Sequence, residues 1–354
     1  MHIFLVFLTS LIVVCLASAP KVAAAAGAKT PIKIVAMELN PAPDPTTSYH
    51  DLAKEMGLFQ KYGLDAEIKA AGGGGPAKVQ IIVAGEAAVA VSDIIAAFSA
   101  VFESTDVRVL FVPSARYGSP IYGLKKYRKL EDAKGKQWGI ASLGGSQRFY
   151  SILTVRAMGL SDKDFKWQAL GGSTTAVPAL LNRRVELATV NPTGARLLMK
   201  QEGAENVHAL VENTAEYTPP FPNYVLIARN KWVKENPEAA ERYVEMMLDA
   251  SRQWSKKAEA WVEPSSRIFN VLTKDELREV YGTLTKGGFW AENGGINYAA
   301  AQKVLDLFFE IRGDKPNQHL SKAADVFNTG PLKKVLDRVG VIKGSRDTPD
   351  WYKP

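Results

Sequence analysis

The N-terminal part of the chain alternates short apolar segments with longer amphipathic ones. Residues 32–36 and 64–68 alternate and predict two strands, and residues 48–59 place apolar side chains at helical spacing. A second helix is predicted over 76–84, opening on a proline, and the all-apolar run 87–91 predicts a strand buried on both faces. Strands and helices joined by short links in this order are typical of an open, doubly wound α/β sheet.

The same pattern recurs further along the chain. The strand predicted at 87–91 has a counterpart at 185–189, and the helix start at Ser48 has one at Ser146, with the same spacing within each pair. A repeated arrangement of α/β elements is what two similar sheets in tandem would produce. We therefore predict two structurally similar lobes.

Proline-rich segments mark where the chain is expected to pass between the lobes. One lies at 113–120 and the other at 219–222, and their prolines should make stiff crossovers. We expect lobe 1 to comprise residues 27–115 and 223–354, and lobe 2 to comprise residues 116–222. The second part of lobe 1 would supply a returning strand and a set of C-terminal helices.

Helix starts carry capping signals. Ser48 with Asp51 three residues later resembles a capping box in which Asp replaces Glu. Asn236 followed by Pro237 predicts an N-cap with proline in the first turn. Apolar periodicity predicts further helices near 275–281, 298–312 and 331–339.

The N-terminus has the pattern of a secretory signal. Residues 3–16 form an apolar run too short to cross a bilayer comfortably, and small residues follow, which predicts a signal peptide over residues 1–26. A retained membrane anchor is the competing interpretation. Cys15, the only cysteine, follows Val14 where a lipoprotein signal requires a small residue, so no lipid anchor is expected. Cleavage would leave no cysteine for disulfides, thiolate metal sites or nucleophilic catalysis, and it would give a periplasmic protein.

Composition narrows the possible partners. The chain has 354 residues, enough for two α/β lobes, and a formal net charge of +7. Its densest basic clusters, 125–129 and 333–334, lack an accompanying stripe of basic and aromatic residues, so nucleic-acid binding is not expected. The positive charge favours an anionic ligand only weakly. The four histidines, at positions 2, 50, 208 and 319, show no ligand spacing, so neither a metal nor a cofactor is expected.

Six segments of the chain resemble one known family, the nitrate, sulfonate and taurine binding proteins, which also includes receptors for thiamine pyrimidine precursors and other small aromatic solutes. These segments are 52–59, 62–67, 83–86, 179–186, 224–228 and 237–239. The chain departs from the family at Ala88 and Glu186, where Asp is frequent. The resemblance implies a type II periplasmic binding protein fold, two α/β lobes joined by two crossover strands. It also implies a monomeric solute receptor that delivers its ligand to the permease subunits of an ABC importer.

In open α/β sheets, ligands bind beyond the carboxyl ends of the strands. Helix N-termini from both lobes would meet there and offer N–H groups and positive dipole ends. Glu38 and Asp93 are candidates for a ligand amine, and Arg148 for an anionic head group. Each polar residue could instead be a helix cap, and each tyrosine could pack at the hinge. The residues predicted to bind the ligand are Glu38, Thr47, Ser48, Tyr49, Gly73, Ser92, Asp93, Tyr117, Ser142, Ser146, Gln147, Asn191, Thr193 and Tyr224.

Several functions stay open on the sequence alone. The ligand could be a small anion of the sulfonate, taurine or nitrate type, or a small aromatic or pyrimidine solute. The competing function is an enzyme on the same fold acting on a pyrimidine or sulfur compound, with His50 as the acid or base. A third is a sensor input or secreted scaffold that binds without an importer. Neighbouring genes for a permease and an ATPase would separate this third function from the first.

Overall fold

A computed structural model describes residues 31–114, 116, 118–220 and 222–352. The predicted signal peptide and Tyr117 lie outside the described residues. The strands are β1 Ile32–Glu38, β2 Leu64–Ala70, β3 Val89–Asp93, β4 Val107–Phe111, β5 Ile121–Leu124, β6 Gln137–Ile140, β7 Lys166–Ala169, β8 Leu187–Thr189, β9 Val207–Val211 and β10 Tyr224–Arg229. The helices are α1 Tyr49–Glu55, α2 Leu58–Lys61, α3 Gly74–Ala84, α4 Ile94–Phe102, α5 Ser146–Ala157, α6 Ser173–Leu181, α7 Pro192–Leu198, α8 Asn230–Glu235, α9 Pro237–Lys256, α10 Ala258–Ile268, α11 Lys274–Lys286, α12 Tyr298–Arg312 and α13 Gly330–Val339.

The strands form two sheets of the same design. The first has the order β2-β1-β3-β10-β4 and the second the order β7-β6-β8-β5-β9. In each sheet the first three strands are parallel, and the fourth, β10 or β5, runs antiparallel to both of its neighbours. The chain passes between the sheets twice, from β4 to β5 and from β9 to β10. The predicted α/β class and its repeated arrangement are therefore confirmed, with two mixed sheets.

Each sheet has its own hydrophobic core, and we name the two parts lobe 1 (around the first sheet) and lobe 2 (around the second). In lobe 1, every residue of β3 is buried, and α9 to α13 contribute to the same core. A central strand covered on both faces requires such a continuous apolar run. In lobe 2 the core centres on Trp138, whose ring stacks on Trp167 and whose Nε1 donates to Thr189 Oγ1 at 2.9 Å.

Two of the predicted side-chain caps are wrong. The Ser48 hydroxyl makes no cap and instead accepts from the backbone N–H of Asp44, while Glu38 Oε1 accepts from the N–H groups of His50 and Asp51 at the start of α1. Asn236 does precede α9, but its side-chain amide donates back to the Trp232 carbonyl. At α1 a carboxylate from β1 thus replaces the local cap, whereas at α9 the Asn236 side chain bonds the preceding helix instead.

Two predicted element boundaries also differ. The single helix expected over 48–59 is divided into α1 and α2 because Gly57 adopts a left-handed φ of 69°, which favours glycine. The strand expected to end at residue 91 extends through Asp93, which then begins α4 directly. Within the described ranges, no helix is long and apolar enough to cross a membrane, and no group of three or more His, Cys, Asp and Glu residues could hold a metal ion.

Candidate ligand-binding cleft

The strand ends and helix starts of both lobes face one cavity. From lobe 1 come the loop after β1, the start of α3 and the junction of β3 with α4, and from lobe 2 the starts of α5, α6 and α7. The cavity has a volume of about 40 Å³ in this arrangement, room for a few heavy atoms. Its lining residues are Leu39, Asn40, Gly74, Gly75, Asp93, Ala141, Ser142, Gly145, Ser146, Gln147, Tyr150, Gly172, Ser173, Asn191, Asn223 and Tyr224.

Asp93 links the two lobes across this cavity. Its Oδ1 accepts from the backbone N–H of Ala96, which caps α4 in its own lobe. The same oxygen accepts from the N–H of Ser146 at 3.0 Å and from the Ser146 hydroxyl at 2.9 Å, at the start of α5 in lobe 2. Burial raises the pKa of Asp93, and the hydrogen bonds from Ala96 and Ser146 oppose that rise. One carboxylate oxygen therefore caps one helix and meets the start of another.

Asp44 makes a second link between the lobes. Its Oδ2 accepts from the Asn191 side-chain amide at 2.6 Å, and its Oδ1 accepts from the Thr193 hydroxyl at 2.7 Å. Oδ1 also accepts from the N–H and hydroxyl of Thr46, which fixes the loop after β1 as a tight turn. Trp261 of α10 holds the same loop by donating to the Pro45 carbonyl at 3.2 Å.

Ion pairs extend the contact outside the cavity. Arg196 and Lys200 in and after α7 pair with Glu276 of α11, at 3.6 and 2.9 Å, and Arg156 of α5 pairs with Glu310 of α12 at 2.9 Å. These side chains are partly exposed, so each pair contributes little to stability in water. The lobes therefore meet through the buried carboxylates at the cavity and through apolar side chains of α5, including Phe149 and Leu153, that pack in the core of lobe 1.

The structure brings six of the predicted ligand residues to the cavity wall: Asp93, Ser142, Ser146, Gln147, Asn191 and Tyr224. Four more stand directly behind it. Thr193 bonds Asp44, Ser92 donates to the Gly75 carbonyl, and Ser48 and Thr47 hold the loop that carries Asp44. Gly73 precedes α3 with a left-handed φ of 87°.

Glu38 and Tyr49 are not among the lining residues. Glu38 is buried beneath the loop, where it caps α1, and Tyr49 is fully buried against Tyr224 and Trp254. Arg148 also lies outside the cavity wall. Its guanidinium stands over the Trp167 ring at 5.6 Å and donates to the Leu143 carbonyl. Neither Glu38 nor Arg148 lines the cavity in this arrangement, so their expected contacts with a ligand amine and an anionic head group stay predictions.

Sequence reasoning missed Asp44 and the close approach of Gly75 and Gly145 to Asp93. The run Asp44-Pro45-Thr46 carries a local signal, because Asp followed two residues later by a hydrogen-bonding N–H forms an Asx turn. A Cβ at Gly75 would lie 2.0 Å from Asp93 Oδ2, and one at Gly145 would lie 3.1 Å from it. Only the three-dimensional arrangement shows why these positions lack side chains.

Beneath the cleft floor, His50 belongs to a buried polar cluster. Its Nε2 lies 2.7 Å from the Tyr243 hydroxyl, and its Nδ1 lies 3.7 Å from Glu38 Oε1. Burial lowers the pKa of His50 to about 3, and burial followed by the charge of Asp51 raises the pKa of Glu38. The imidazole is therefore neutral at ordinary pH and is not among the residues lining the cavity.

A larger cavity, of about 340 Å³, lies between lobe 2 and α11. Its walls include Tyr122, Arg196, Met199, Glu279 and Phe289, and the ion pair of Arg196 with Glu279 at 3.1 Å spans two of them. Its wall also includes Glu212 and Asn213, directly after the carboxyl end of β9, whereas the smaller cavity is lined by strand ends and helix starts of both lobes. Because ligands of open α/β sheets bind where such ends converge, the smaller cavity is the stronger candidate for the ligand site.

Two similar α/β sheets joined by two crossovers are the two-lobed fold of periplasmic binding proteins. A sequence model of the family described as NMT1/THI5 like matches residues 46–257, more than half of the chain. The chain therefore belongs to the NMT1/THI5-like family.

Relatives and solved structures agree with this assignment. A Brucella abortus (strain 2308) protein, named as a binding protein, is 26% identical over 296 residues, 82% of this chain and 84% of that one. The periplasmic aliphatic sulphonate binding protein SsuA from Escherichia coli superposes with a TM-score of 0.62 at 14% identity, covering 85% of this chain and 93% of that one. The periplasmic nitrate-binding protein NrtA from Synechocystis PCC 6803 gives 0.69 at 15% identity, with coverage of 88% and 90%. At these identities the two structures show the shared fold.

Proposed function

We propose that this protein is the exported solute receptor of an ABC importer, working in the periplasm. It captures one small solute between its lobes and presents the closed form to the permease subunits. The names of SsuA and NrtA, both periplasmic binding proteins of this fold, support binding in the periplasm. A Staphylococcus aureus structure with the same fold, described as the ligand binding component of an ABC-type import system, supports the importer role.

The observation that carries the proposal is the closure across the cavity. Asp93 with Ser146, and Asp44 with Asn191, join side chains of different lobes around a space lined by strand ends and helix starts. A solute in this space would contact both lobes at once and would stabilise the closed form relative to an open one. Binding would then be coupled to a shape that a permease can recognise.

An enzyme acting through His50 is less well supported. The imidazole is fully buried, is held by Tyr243 and is absent from the cavity wall in the described part of the chain. An acid or base must come within hydrogen-bond reach of the proton that it moves. The fully buried His50 imidazole does not reach the cavity in this arrangement.

Of the two ligand classes left open by the sequence, the charge of the cavity wall favours a small aromatic or pyrimidine solute over a small anion. The cavity wall carries an acidic side chain and, among the described residues, no basic one. The formal charge of +7 therefore resides elsewhere on the molecule and does not favour an anion at this site.

A disulfide lock across the cleft tests the site of capture. A Cβ at Gly74 would lie 3.5 Å from that of Ser142, within disulfide range, so we would combine Gly74→Cys and Ser142→Cys with Cys15→Ser. Gly74 has a φ of 62°, so cysteine there adds strain of about 1 kcal/mol, which the oxidised and reduced forms share. Melting temperatures would be measured against taurine, ethanesulfonate, nitrate and 4-aminopyrimidine.

We expect at least one solute to raise the melting temperature of the wild type and of the reduced lock, because a ligand of the folded state stabilises it by mass action. The oxidised lock should not respond, since its cleft cannot open. An equal response in both forms would place the site elsewhere, for example in the larger cavity. No response of the wild type to any solute would contradict the receptor function.

A further inference from the structure

Much of the positive charge of the molecule lies at one end of lobe 2. Strands β6, β7 and β8 turn their carboxyl ends to the cleft, so their amino ends and the carboxyl end of β5 form the opposite edge of the sheet. Backbone hydrogen bonds join the loops at this edge, from Lys125 to Asn206 and from Lys166 to Lys136. We name residues 125–136, 162–166 and 183–186 the base of lobe 2.

Exposed cations outnumber acids two to one at the base of lobe 2. Its ten basic and five acidic residues give it a formal charge of +5, compared with +7 for the whole chain. Two further acids, Glu202 and Glu205, lie between α7 and β9 at the margin of this edge. All ten basic residues are exposed to solvent, namely Lys125, Lys126, Arg128, Lys129, Lys134, Lys136, Lys163, Lys166, Arg183 and Arg184.

The acids of the base are largely held by neighbouring main-chain groups. Asp132 accepts from two backbone N–H groups of its own loop at 2.9 and 3.2 Å, and Glu186 accepts from one at the start of β6 at 3.2 Å. Lys134 pairs with Asp164 at 3.2 Å. In the part of the chain that the structure describes, the other nine basic side chains of the base form no ion pair. Nine cations therefore meet solvent without an acidic partner.

The corresponding edge of lobe 1 holds its cations differently. Lys61, before β2, pairs with Asp249 at 2.6 Å, and Lys231, after β10, pairs with Glu235 at 3.8 Å. Arg108 of β4 donates to two main-chain carbonyls. Because the two sheets share one design, the fold itself does not require unpaired cations at the base of lobe 2.

The base of lobe 2 is polar as well as basic. It includes none of the large apolar side chains that the described residues expose, which are Val83, Leu143, Met199, Tyr217, Val271 and Val339. It also contributes nothing to the walls of the two cavities between the lobes. A stable protein interface needs apolar anchors, and single-stranded nucleic acid needs aromatic rings for stacking. A layer of anionic headgroups needs neither, because it attracts each lysine or arginine separately.

We infer that the base of lobe 2 docks on a membrane surface that carries anionic phospholipid headgroups. The contact is electrostatic and reversible, since the base exposes no large apolar side chain that could enter the bilayer. The base and the cleft lie at opposite edges of the same sheet, so a docked protein keeps its cleft open to solution. This docking goes beyond the proposed function and depends on no particular solute.

Sedimentation of the full chain with vesicles tests the surface. The vesicles would contain phosphatidylcholine alone or with about 30% phosphatidylglycerol, and sodium chloride would be raised to about 0.5 M. We expect binding to the anionic vesicles at low salt that falls at least about tenfold at high salt, because salt screens exposed charges. The apolar run 3–16 would bind both kinds of vesicle whatever the salt, so the neutral vesicles measure its contribution.

Two triple variants of equal net charge separate the base from the charge of the whole molecule. The base variant combines Lys125→Glu, Lys136→Glu and Lys166→Glu, each at the end of a different strand. The control combines Lys286→Glu, Lys303→Glu and Lys333→Glu, exposed lysines on α11, α12 and α13 of lobe 1. Partitioning onto anionic vesicles should fall at least about tenfold in the base variant and stay within about twofold of the wild type in the control.

Melting temperatures would show that both variants fold. If the base variant melts below the wild type, Lys125→Gln, Lys136→Gln and Lys166→Gln remove the same charges without adding acids and should reduce partitioning in the same direction. Equal loss in the base variant and the control, or binding that salt does not change, would overturn the inference. Binding to duplex DNA or polyglutamate without binding to anionic vesicles would also overturn it, because the base would then have a different partner.

The docking and the receptor function can fail separately. The base variant should respond to solutes as the wild type does, because its substitutions lie at the edge of the sheet opposite the cleft. Absence of vesicle binding would therefore leave the disulfide lock experiment unaffected. Absence of any solute response in the wild type would contradict the receptor function and leave the docking to be decided by the vesicles.

Discussion

Asp44, in the loop after β1, accepts a 2.6 Å hydrogen bond from the side-chain amide of Asn191 at the start of α7 in the other lobe. The Asn191 carbonyl oxygen meanwhile accepts from the N–H of Gly194 at 2.7 Å and so caps α7. The Asn191 side chain therefore caps α7 through its carbonyl oxygen and bonds the opposite lobe through its amide N–H. Any change to Asn191 should affect the stability of lobe 2 and the closure of the cleft together.

Asn191→Ala should lower the free energy of unfolding by about 1–2 kcal/mol without unfolding the protein, because it removes the cap of α7 and a hydrogen bond to a buried carboxylate. It should also weaken solute binding. Urea unfolding and calorimetry would measure the two effects. Asn236→Ala is the control, since Asn236 precedes α9 but makes no side-chain cap. Equal solute affinity in Asn191→Ala and the wild type would show that Asn191 does not border the ligand site.

Ser146→Ala should weaken solute binding several-fold and leave the fold intact. It removes the hydroxyl that donates to Asp93 at 2.9 Å, while the backbone N–H of residue 146 still reaches the same oxygen. Loss of one such bond costs about 1 kcal/mol. Ser266→Ala, which removes a hydroxyl bonded within its own helix in lobe 1, is the control and should bind as the wild type does. Calorimetry with one solute would compare the three proteins.

The local sequence predicts elements well where both of their ends carry signals. Helix α12 was expected over 298–312 and is found at Tyr298–Arg312, because Asn297 caps its start and Gly313 ends it with a left-handed φ of 72°. The repeat of strands and helices likewise predicts the shared design of the two sheets. In these cases the deciding interactions lie within a few residues of one another.

The hydrogen bonds that close the cleft could not be predicted from the local sequence in this way. Asp44 and Asn191 are 147 positions apart, and nothing in the local pattern around either residue specifies the other. The predicted cap of α1 was wrong for a similar reason, because Glu38 at the end of β1 caps this helix and the adjacent Ser48 does not. The sequence indicated which strand ends would meet, but the pairing of individual side chains depends on how the lobes are placed.

Thr189→Val should destabilise lobe 2 by about 1–3 kcal/mol. The Thr189 hydroxyl accepts from Trp138 Nε1 at 2.9 Å and lies 3.0 Å from the Ser151 hydroxyl, all of them buried. Valine fills the same space but leaves the indole N–H without an acceptor. Urea unfolding would measure the loss against Thr283→Val, a change on the exposed face of α11 that should stay within about 0.5 kcal/mol. Equal stability of both variants would mean that the indole finds another partner.

His50 should make the protein sensitive to acid. Burial lowers the pKa of His50 in the folded protein to about 3, from 6.5 in the unfolded chain. Between these two values the unfolded chain binds a proton at His50 and the folded protein does not. This contribution to stability is complete above pH 6.5 and is lost as the pH falls toward 3. Between pH 7 and pH 5 the free energy of unfolding should fall by about 2 kcal/mol more in the wild type than in His50→Gln. The variant keeps Glu38, so the difference between the two proteins reports the imidazole. Parallel stability curves for the two proteins would contradict a neutral, buried imidazole.

The closing of two lobes over one solute is tested most directly by small-angle X-ray scattering across a titration with a solute that binds. The account predicts that the radius of gyration decreases on binding and reaches the value calculated for the closed structure at saturation. A radius of gyration that stays constant while the melting temperature rises would contradict it, because the solute would then bind without bringing the lobes together.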